Sequence, residues 1–504
     1  MKLPEIIKTA DKDEDKSGWY SGSVSEQEWF DYITGCTELN FAYKYMDEFK
    51  GKADGKVKLG GKEYNTGHFE IESVGQLKQY FAEYQPQGTP IKCPLRIYVP
   101  SKDTSMPLYF YELGVSTLQA DAKNENCMFQ VASNFSCIEP ITETTFPDSH
   151  NFITNYYRDN TQGPAASMSA GAAGIERVLY PFDANYGNQK SKRQINLLED
   201  LKEYYNVENG YIVNDGTKGN ATFGEPEAEG IVDKVKVGYL SGADVTYGGK
   251  HQKRMNILKE PHTINQVFTA AMNLRQGEHG RANALLPDKE IKAKTLLRGA
   301  YLGTYLSAFK TKSKRLFLTL IGGGSFGNDI YWILSEILNA HKFVALNGKN
   351  DTLQSVELVL FNVPPCLEQF KKDLDANKVP YSFTEILLKA EKPSDFQMNN
   401  AQFFNQGMMG QQMQAGFGQP TMGQQMPGGF GQQMPGGFGQ PMMGQQMQNG
   451  FGQQMPGSFG QQMPGQQMQN GFGQQMPGGF GQPQMNQQFN QQSGQQTTGQ
   501  QPNQ

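Results

Sequence analysis

Asp395 is the last charged residue of the chain. Beyond it, through residue 504, there is no Asp, Glu, Lys or Arg, and no Leu, Ile, Val or Tyr either. Gly, Gln, Met, Phe, Pro and Asn make up nearly all of that stretch. A segment without branched aliphatics cannot withdraw enough apolar surface from water to offset the entropy of ordering it. Whatever folds must be built from residues 1–395. The remainder, 396–504, also repeats: the Phe of FGQ recurs at 417, 430, 438, 451, 459, 472 and 480, alternately 13 and 8 residues apart, a 21-residue unit. A period of that size can mark a solenoid. Each unit, however, offers only one or two Phe and a few Met among Gly and Pro. A disordered, prion-like tail is expected instead, roughly 55–60 Å end to end as a Gly-rich coil. Its Met and Phe are candidate stickers for self-association.

The net charge of −5 therefore belongs to the first 395 residues. A mildly acidic balance argues against general nucleic-acid binding, which calls for a basic face. It leaves room for a local cationic pocket. Cys36, Cys93, Cys127, Cys137 and Cys366 are odd in number and form no CxxC pair, which fits free thiols in a reducing compartment. The first residues lack the apolar core of a secretory signal, and no run approaches the ~18 apolar residues of a membrane span. A cytoplasmic or nuclear location is expected, with no membrane association. Six histidines are scattered without HExxH or similar spacing, so no metal and no cofactor is expected.

Within the foldable part, continuous apolar runs predict strands covered on both faces. They are 94–100, 107–114, 127–133, 315–321, 342–348 and 355–362. In DIYWILSEILNAHK the apolar residues Ile330, Ile333, Leu334, Ile337 and Leu338 mark one face of an amphipathic helix. Stretches 265–276, 294–310 and 366–377 also read as helices. Strand, helix and strand in order from 315 to 362 predict a βαβ unit and a three-layer α/β/α architecture. The reading divides the chain into an N-terminal extension or small subdomain, 1–90, an α/β domain, 91–395, and the tail, 396–504. Insertions fall near 181–225 and 277–292.

Two loops carry chemical interest. In RLFLTLIGGGSFGNDIYW a buried strand ends near Ile321, and Gly322, Gly323, Gly324, Ser325, Phe326, Gly327 and Asn328 precede a helix capped by Asn328 or Asp329. Glycines admit positive φ and remove Cβ atoms, so backbone N–H groups can crowd around a phosphate. The helix dipole would add to this, partly opposed by Asp329. The spacing is not that of a GxxxxGK[ST] phosphate loop, which disfavours triphosphate hydrolysis by that route. A second strand, CMFQVAS, leads to Asn134, whose amide could orient a sugar hydroxyl. In NTQGPAASMSAGAAG, Gly163 and Pro164 read as N-cap and first helical position, followed by a small-residue helix suited to close approach.

Taken together, QVASN, TQGPAASMSAGAAG and LTLIGGGSFGN resemble the macrodomain superfamily. The nearest likeness is to a macrodomain-like family distinct from classical mono-ADP-ribose hydrolases and poly(ADP-ribose) glycohydrolases. The resemblance spans roughly 127–362 and reaches upstream to YNTGHFEIESVGQL. It implies a macrodomain-like mixed sheet and ADP-ribose, free or on an ADP-ribosylated protein, as the partner. Asn134 matches the strand-end Asn that contacts the distal ribose. Thr161, Gln162, Gly163, Pro164 and Ala165 occupy the place of the first diphosphate loop. Gly322 to Asn328 match the second, with Phe326 where an aromatic packs on the ligand. Departures are plain: TQGPA replaces the usual Gly-Gly-Gly, no Gln-Glu-Glu follows, and Ser136 and Cys137 stand where a catalytic Asp is common. Binding is thus better supported than hydrolysis, for which Glu139 and Asp159 are the candidate carboxylates.

Two other functions stay open. One is a non-enzymatic scaffold assembled through the tail. The other is a serine hydrolase, since Gly323–Gly327 satisfies GxSxG with Ser325 at its centre. The latter has only His341 downstream, at the end of the very next helix. For the binding reading, an aspartate at Gly323 is expected to abolish ADP-ribose binding.

Overall fold

The structure, a computed structural model, describes residues 6–9, 16–25, 27–40, 55–101, 114–158, 161–179, 189–190, 192–251 and 254–387. The tail, Asp159, and all but the last residue of the expected strand 107–114 lie outside them, as does 181–188 of the first expected insertion.

A ten-stranded mixed sheet forms the centre. Its spatial order is Ile6–Thr9, Tyr381–Leu387, Leu95–Pro100, Ser355–Val359, Arg315–Leu318, Met128–Ala132, Thr263–Thr269, Lys236–Asp244, Lys62–Ser73 and Lys56–Leu59. From Ile6–Thr9 to Thr263–Thr269 all neighbours are parallel. The last three strands alternate in direction. Residues 56–73, read from sequence as part of a smaller N-terminal region, supply two of these strands. The parallel strands are rich in apolar residues, and Met128 to Val131 are all buried, as both faces of the sheet are covered.

Side chains alternate across a strand, and Thr263–Thr269 shows both coverings. Gln266 and Phe268 meet the Gln162–Ser169 and Gly171–Val178 helices, through the Ala166 carbonyl and the Arg177 guanidinium. Thr269, of opposite parity, shares Gln130 with Thr304 on the Lys289–Lys310 helix. The Val74–Glu83, Glu225–Lys234 and Ile330–Ala340 helices pack against Lys289–Lys310 and complete that layer. The three-layer α/β/α arrangement is thus the observed one. The βαβ unit is also present, with strands Arg315–Leu318 and Ser355–Val359 parallel and adjacent and helix Ile330–Ala340 between them.

Three local expectations are corrected. Residues 265–276 form not a helix but strand Thr263–Thr269 and an irregular turn. Stretch 342–348 is not a strand; a single π-helical turn, His341–Ala345, extends the preceding helix. Within 277–292, read as irregular surface, lies the short helix Gly277–Asn283. In the first two a short apolar run fitted either period, and tertiary packing decided.

The Lys289–Lys310 helix is buried along most of its length and carries two glycines at a spacing of one turn, Gly299 and Gly303. A mid-helix glycine costs roughly 1 kcal/mol relative to alanine. Packing explains both. A Cβ on Gly299 would fall 2.8 Å from Val235 Cβ, and one on Gly303 would fall 2.6 Å from Val237 Cγ1. Gly299→Ala should therefore destabilise the protein by about 1–3 kcal/mol despite alanine's better helix propensity. Urea unfolding at equilibrium measures this, and a stabilised variant would refute the close-approach reading.

Candidate functional site

The chain leaves strand Arg315–Leu318 for its neighbour Ser355–Val359 on one side. From Met128–Ala132 it proceeds to Lys236–Asp244 and Thr263–Thr269 on the other side. Connections therefore diverge between these two adjacent strands. The loop after Ala132 leads to helix Gln162–Ser169 on one face of the sheet, and the loop after Leu318 leads to helix Ile330–Ala340 on the other. A crevice at the carboxyl ends of strands where connections part is where open α/β sheets take ligands.

The crevice is opened by a strand that leaves early. Ser133 N–H donates to the Thr269 carbonyl at 3.0 Å, so odd-numbered residues here face strand Thr263–Thr269. Gln130 and Ala132 face the other way, where pairing with Arg315–Leu318 is recorded only at Met128 and Phe129. The Gln162 side chain takes the place of the missing strand. Ala132 N–H donates to its Oε1 at 2.8 Å, and its Nε2 donates to the Gln130 carbonyl at 2.7 Å. Gln130's own side chain, fully inside, donates to Thr269 Oγ1 at 3.2 Å and Thr304 Oγ1 at 3.1 Å, and accepts from Thr319 N–H at 3.2 Å. One residue thus ties the roots of both expected loops.

Helix Gln162–Ser169 starts with Thr161, not Gly163, as its N-cap. The expected cap is displaced by two residues because Gln162 is committed to the strand end. Pro164 is consequently third in the helix, still among the positions whose N–H needs no helical partner. Gly163 and Pro164 are buried and Ala165 half-buried. Gly163 lies so close to the strand that an added Cβ would sit 1.9 Å from the Ala132 carbonyl oxygen and 2.2 Å from Glu139 Oε2. The Glu139 carboxylate therefore lies at the first turn of this helix, where the dipole favours a negative charge. Its backbone N–H donates to the Tyr156 hydroxyl at 2.9 Å.

Between strand and Glu139 the chain makes a tight turn. Asn134 N–H donates to the Ile138 carbonyl at 3.2 Å, Cys137 N–H to the Asn134 carbonyl at 2.9 Å, and Cys137 itself sits at φ 60°. Burial pushes the Cys137 thiol up to about 12, so it is no nucleophile. Asn134 is 1% exposed, and its Nδ2 has no hydrogen-bond partner among the described residues; the same holds for Ser133 Oγ. Buried polar atoms are almost always satisfied, so such exceptions point to a missing partner. A small hairpin, Val207–Glu208 with Tyr211–Ile212, covers this turn, and the Gly210 carbonyl accepts from Phe135 N–H at 3.0 Å. Its Asn209–Gly210 turn, a standard hairpin signal, lies inside the stretch read as an insertion.

The second loop folds over the strand ends toward residues 271–275. Gly322 and Gly327 take φ of 74° and 69°, which favours glycine there. Asn328 pins the loop, its N–H donating to the Gly322 carbonyl at 3.0 Å and its Nδ2 to the Met272 carbonyl at 2.8 Å. Leu274 N–H donates to the Phe326 carbonyl at 2.8 Å, and Arg275 Nη2 to the Gly324 carbonyl at 2.7 Å. Phe326 packs near the Tyr211 ring, centroids 6.2 Å apart. Among the described residues, the N–H groups of Gly324, Ser325 and Phe326 have no acceptor, and Gly324 and Ser325 are exposed. Asp329 caps the following helix, accepting from Tyr331 N–H at 2.7 Å and Trp332 N–H at 3.2 Å. The helix N-terminus is therefore already engaged, and anion-binding capacity rests on the loop amides and the Arg275 guanidinium instead.

Arg275 and Asn273 went unnoticed in the sequence because 265–276 reads as a helix, which hides a loop after a strand. Asp159 lies outside the described residues. The serine-hydrolase geometry does not form with His341. That residue follows the far end of the eleven-residue helix Ile330–Ala340, about 16 Å along its axis. It is fully buried, bonds Tyr305 and the Cys93 carbonyl, and is held down to about 4, chiefly by burial. All five cysteines are free thiols. Among the described residues no helix is long and apolar enough to cross a membrane.

No family model matches the chain, and no curated protein is similar to it. Solved structures are. Poly(ADP-ribose) glycohydrolase from Deinococcus radiodurans in complex with ADP-ribose is 11% identical over 61% of this chain and 95% of that one, with a TM-score of 0.34. The same enzyme from Thermomonospora curvata, bound to the inhibitor ADP-HPD, is 14% identical over 66% of this chain and 98% of that one, with a TM-score of 0.33. Likeness at this level says nothing of this chain's chemistry, which rests on its own residues.

Gln130→Leu keeps the shape of the side chain but leaves Thr319 N–H and two threonine hydroxyls without their partner. It should cost about 2 kcal/mol or more of stability, read by urea unfolding. A change below ~0.5 kcal/mol would show that Gln130 does not hold the two loop roots.

Proposed function

We propose that this protein binds ADP-ribose or a closely related adenine-nucleotide derivative, free or attached to a protein, in the crevice between strands Met128–Ala132 and Arg315–Leu318. One observation carries the reading. Three successive amides, Gly324 to Phe326, lack acceptors at a point where strand connections diverge, and a guanidinium is docked beside them. Consecutive free N–H groups with a nearby cation suit a pyrophosphate. Asn134, with its unpartnered buried amide, is the candidate ribose contact, and Thr161–Ala165 the second wall. The choice of ADP-ribose among anionic ligands follows from the macrodomain-like motifs in the sequence.

The structure redirects the test. A Cβ on Gly323 would meet Ile330 Cδ1 at 2.6 Å and Ile333 Cδ1 at 3.1 Å, so Gly323→Asp would disturb the core as well as the loop. Gly324 has nothing within 4 Å of an added Cβ. Gly324→Asp should therefore melt as the unaltered protein does and bind ADP-ribose at least roughly tenfold more weakly, about 1.4 kcal/mol. Calorimetric titration decides, and undiminished affinity in Gly324→Asp would remove the loop from the site.

Hydrolysis of an ADP-ribosyl linkage is a second reading, favoured by the placement of Glu139 at the helix start between Tyr156 and Gly163. A carboxylate there could assist attack by water. Glu139→Gln is expected to retain ADP-ribose binding while losing any release of ADP-ribose from modified protein by a factor of ~100 or more. Equal turnover in both proteins would return Glu139 to a purely structural role.

A further inference from the structure

Behind the Asn134 turn lies a cleft with about 10 Å³ of free room, lined among others by Trp29, Tyr156, Ser167, Met168, Gly174 and Arg177. That is roughly the room one water molecule needs, so only a ligand of about that size fits. Its chemistry is lopsided. Arg177 is 4% exposed, and Glu176 acts on its charge only through space. Its Nε donates to the Cys137 carbonyl at 2.7 Å and its Nη2 to Ser167 Oγ at 3.2 Å, while the Phe268 ring covers one face at 3.8 Å. Nη1 is buried and has no partner. The hydroxyls of Ser167 and Tyr156 each accept a hydrogen bond and give none among the described residues, which leaves both O–H hydrogens available. A buried cation without a hydrogen-bonded counter-charge is costly, and here Arg177 Nη1 lacks an acceptor beside two hydroxyls that donate to none among the described residues.

We propose that this cleft binds a small inorganic anion, a halide, held by Arg177 Nη1 and the Ser167 and Tyr156 hydroxyls against the apolar walls of Trp29 and Met168. The absence of a side chain at Gly174 keeps the room: a Cβ there would come within 3.3 Å of the Ser167 carbonyl. The site does not depend on what the crevice binds. It does stand directly behind it, because Arg177 also holds the Cys137 carbonyl and Tyr156 the Glu139 amide.

Chlorine NMR line broadening on the full-length protein tests the proposal. Excess broadening should titrate with chloride and be displaced by bromide but not by the larger sulfate or phosphate. Arg177→Gln should weaken chloride binding roughly tenfold or more. Ser167→Ala, which leaves the guanidinium in place, should weaken it several-fold in a protein with unchanged circular dichroism. Should Arg177→Gln fail to fold, Ser167→Ala decides alone. No excess broadening in the unaltered protein, displacement by sulfate or phosphate, or a chloride titration unchanged in the folded variants would each overturn the assignment.

Discussion

The Gln130 and Gln162 side chains hold open the carboxyl edge of the sheet. Where Arg315–Leu318 turns away, the strand Met128–Ala132 would expose an unpaired N–H and C=O inside the protein. Unpaired buried backbone groups cost as much as lost hydrogen bonds, so strand divergence is tolerable only if something else pairs them. Gln162 does so with one amide, and in doing so fixes where its helix begins and how near that helix comes to the strand. Gln130 anchors the departing Thr319 from the other side. The gap, the helix start and the root of the glycine loop are thus held by one pair of amide side chains.

Charge is distributed around that gap with little waste. Asp329 satisfies the start of one helix and Glu139 lies at the start of the other, so neither dipole is left to attract an anion by itself. What remains electropositive is local: three loop amides and Arg275 on the crevice side, and Arg177 behind the turn. Burial pulls the Arg177 guanidinium below its usual range, with Tyr156 and Cys137 opposing. It stays a cation nonetheless, because arginine does not deprotonate in proteins.

Much of this was legible in the residues. The βαβ unit, the glycine loop between strand and helix, and the polar tip after CMFQVAS follow from periodicity and glycine placement. Glutamine 130, a lone amide in an apolar strand, was a readable signal of a buried network, though nothing local says what it binds. The turn at 270–276 was not legible, since Val267, Ala270, Ala271 and Leu274 fall at helical spacing by coincidence, and that concealed Arg275. Nor could the sequence distinguish Gly323, which points at Ile330 and Ile333, from Gly324, which points at nothing. That difference belongs to backbone direction in a loop with positive φ at its ends.

The parallel direction of Tyr381–Leu387 has an architectural result. That strand finishes on the same rim as the crevice, three strands from Arg315–Leu318, or roughly 15 Å at ordinary strand spacing. Anything joined to the chain past Leu387 starts beside the mouth rather than behind the sheet.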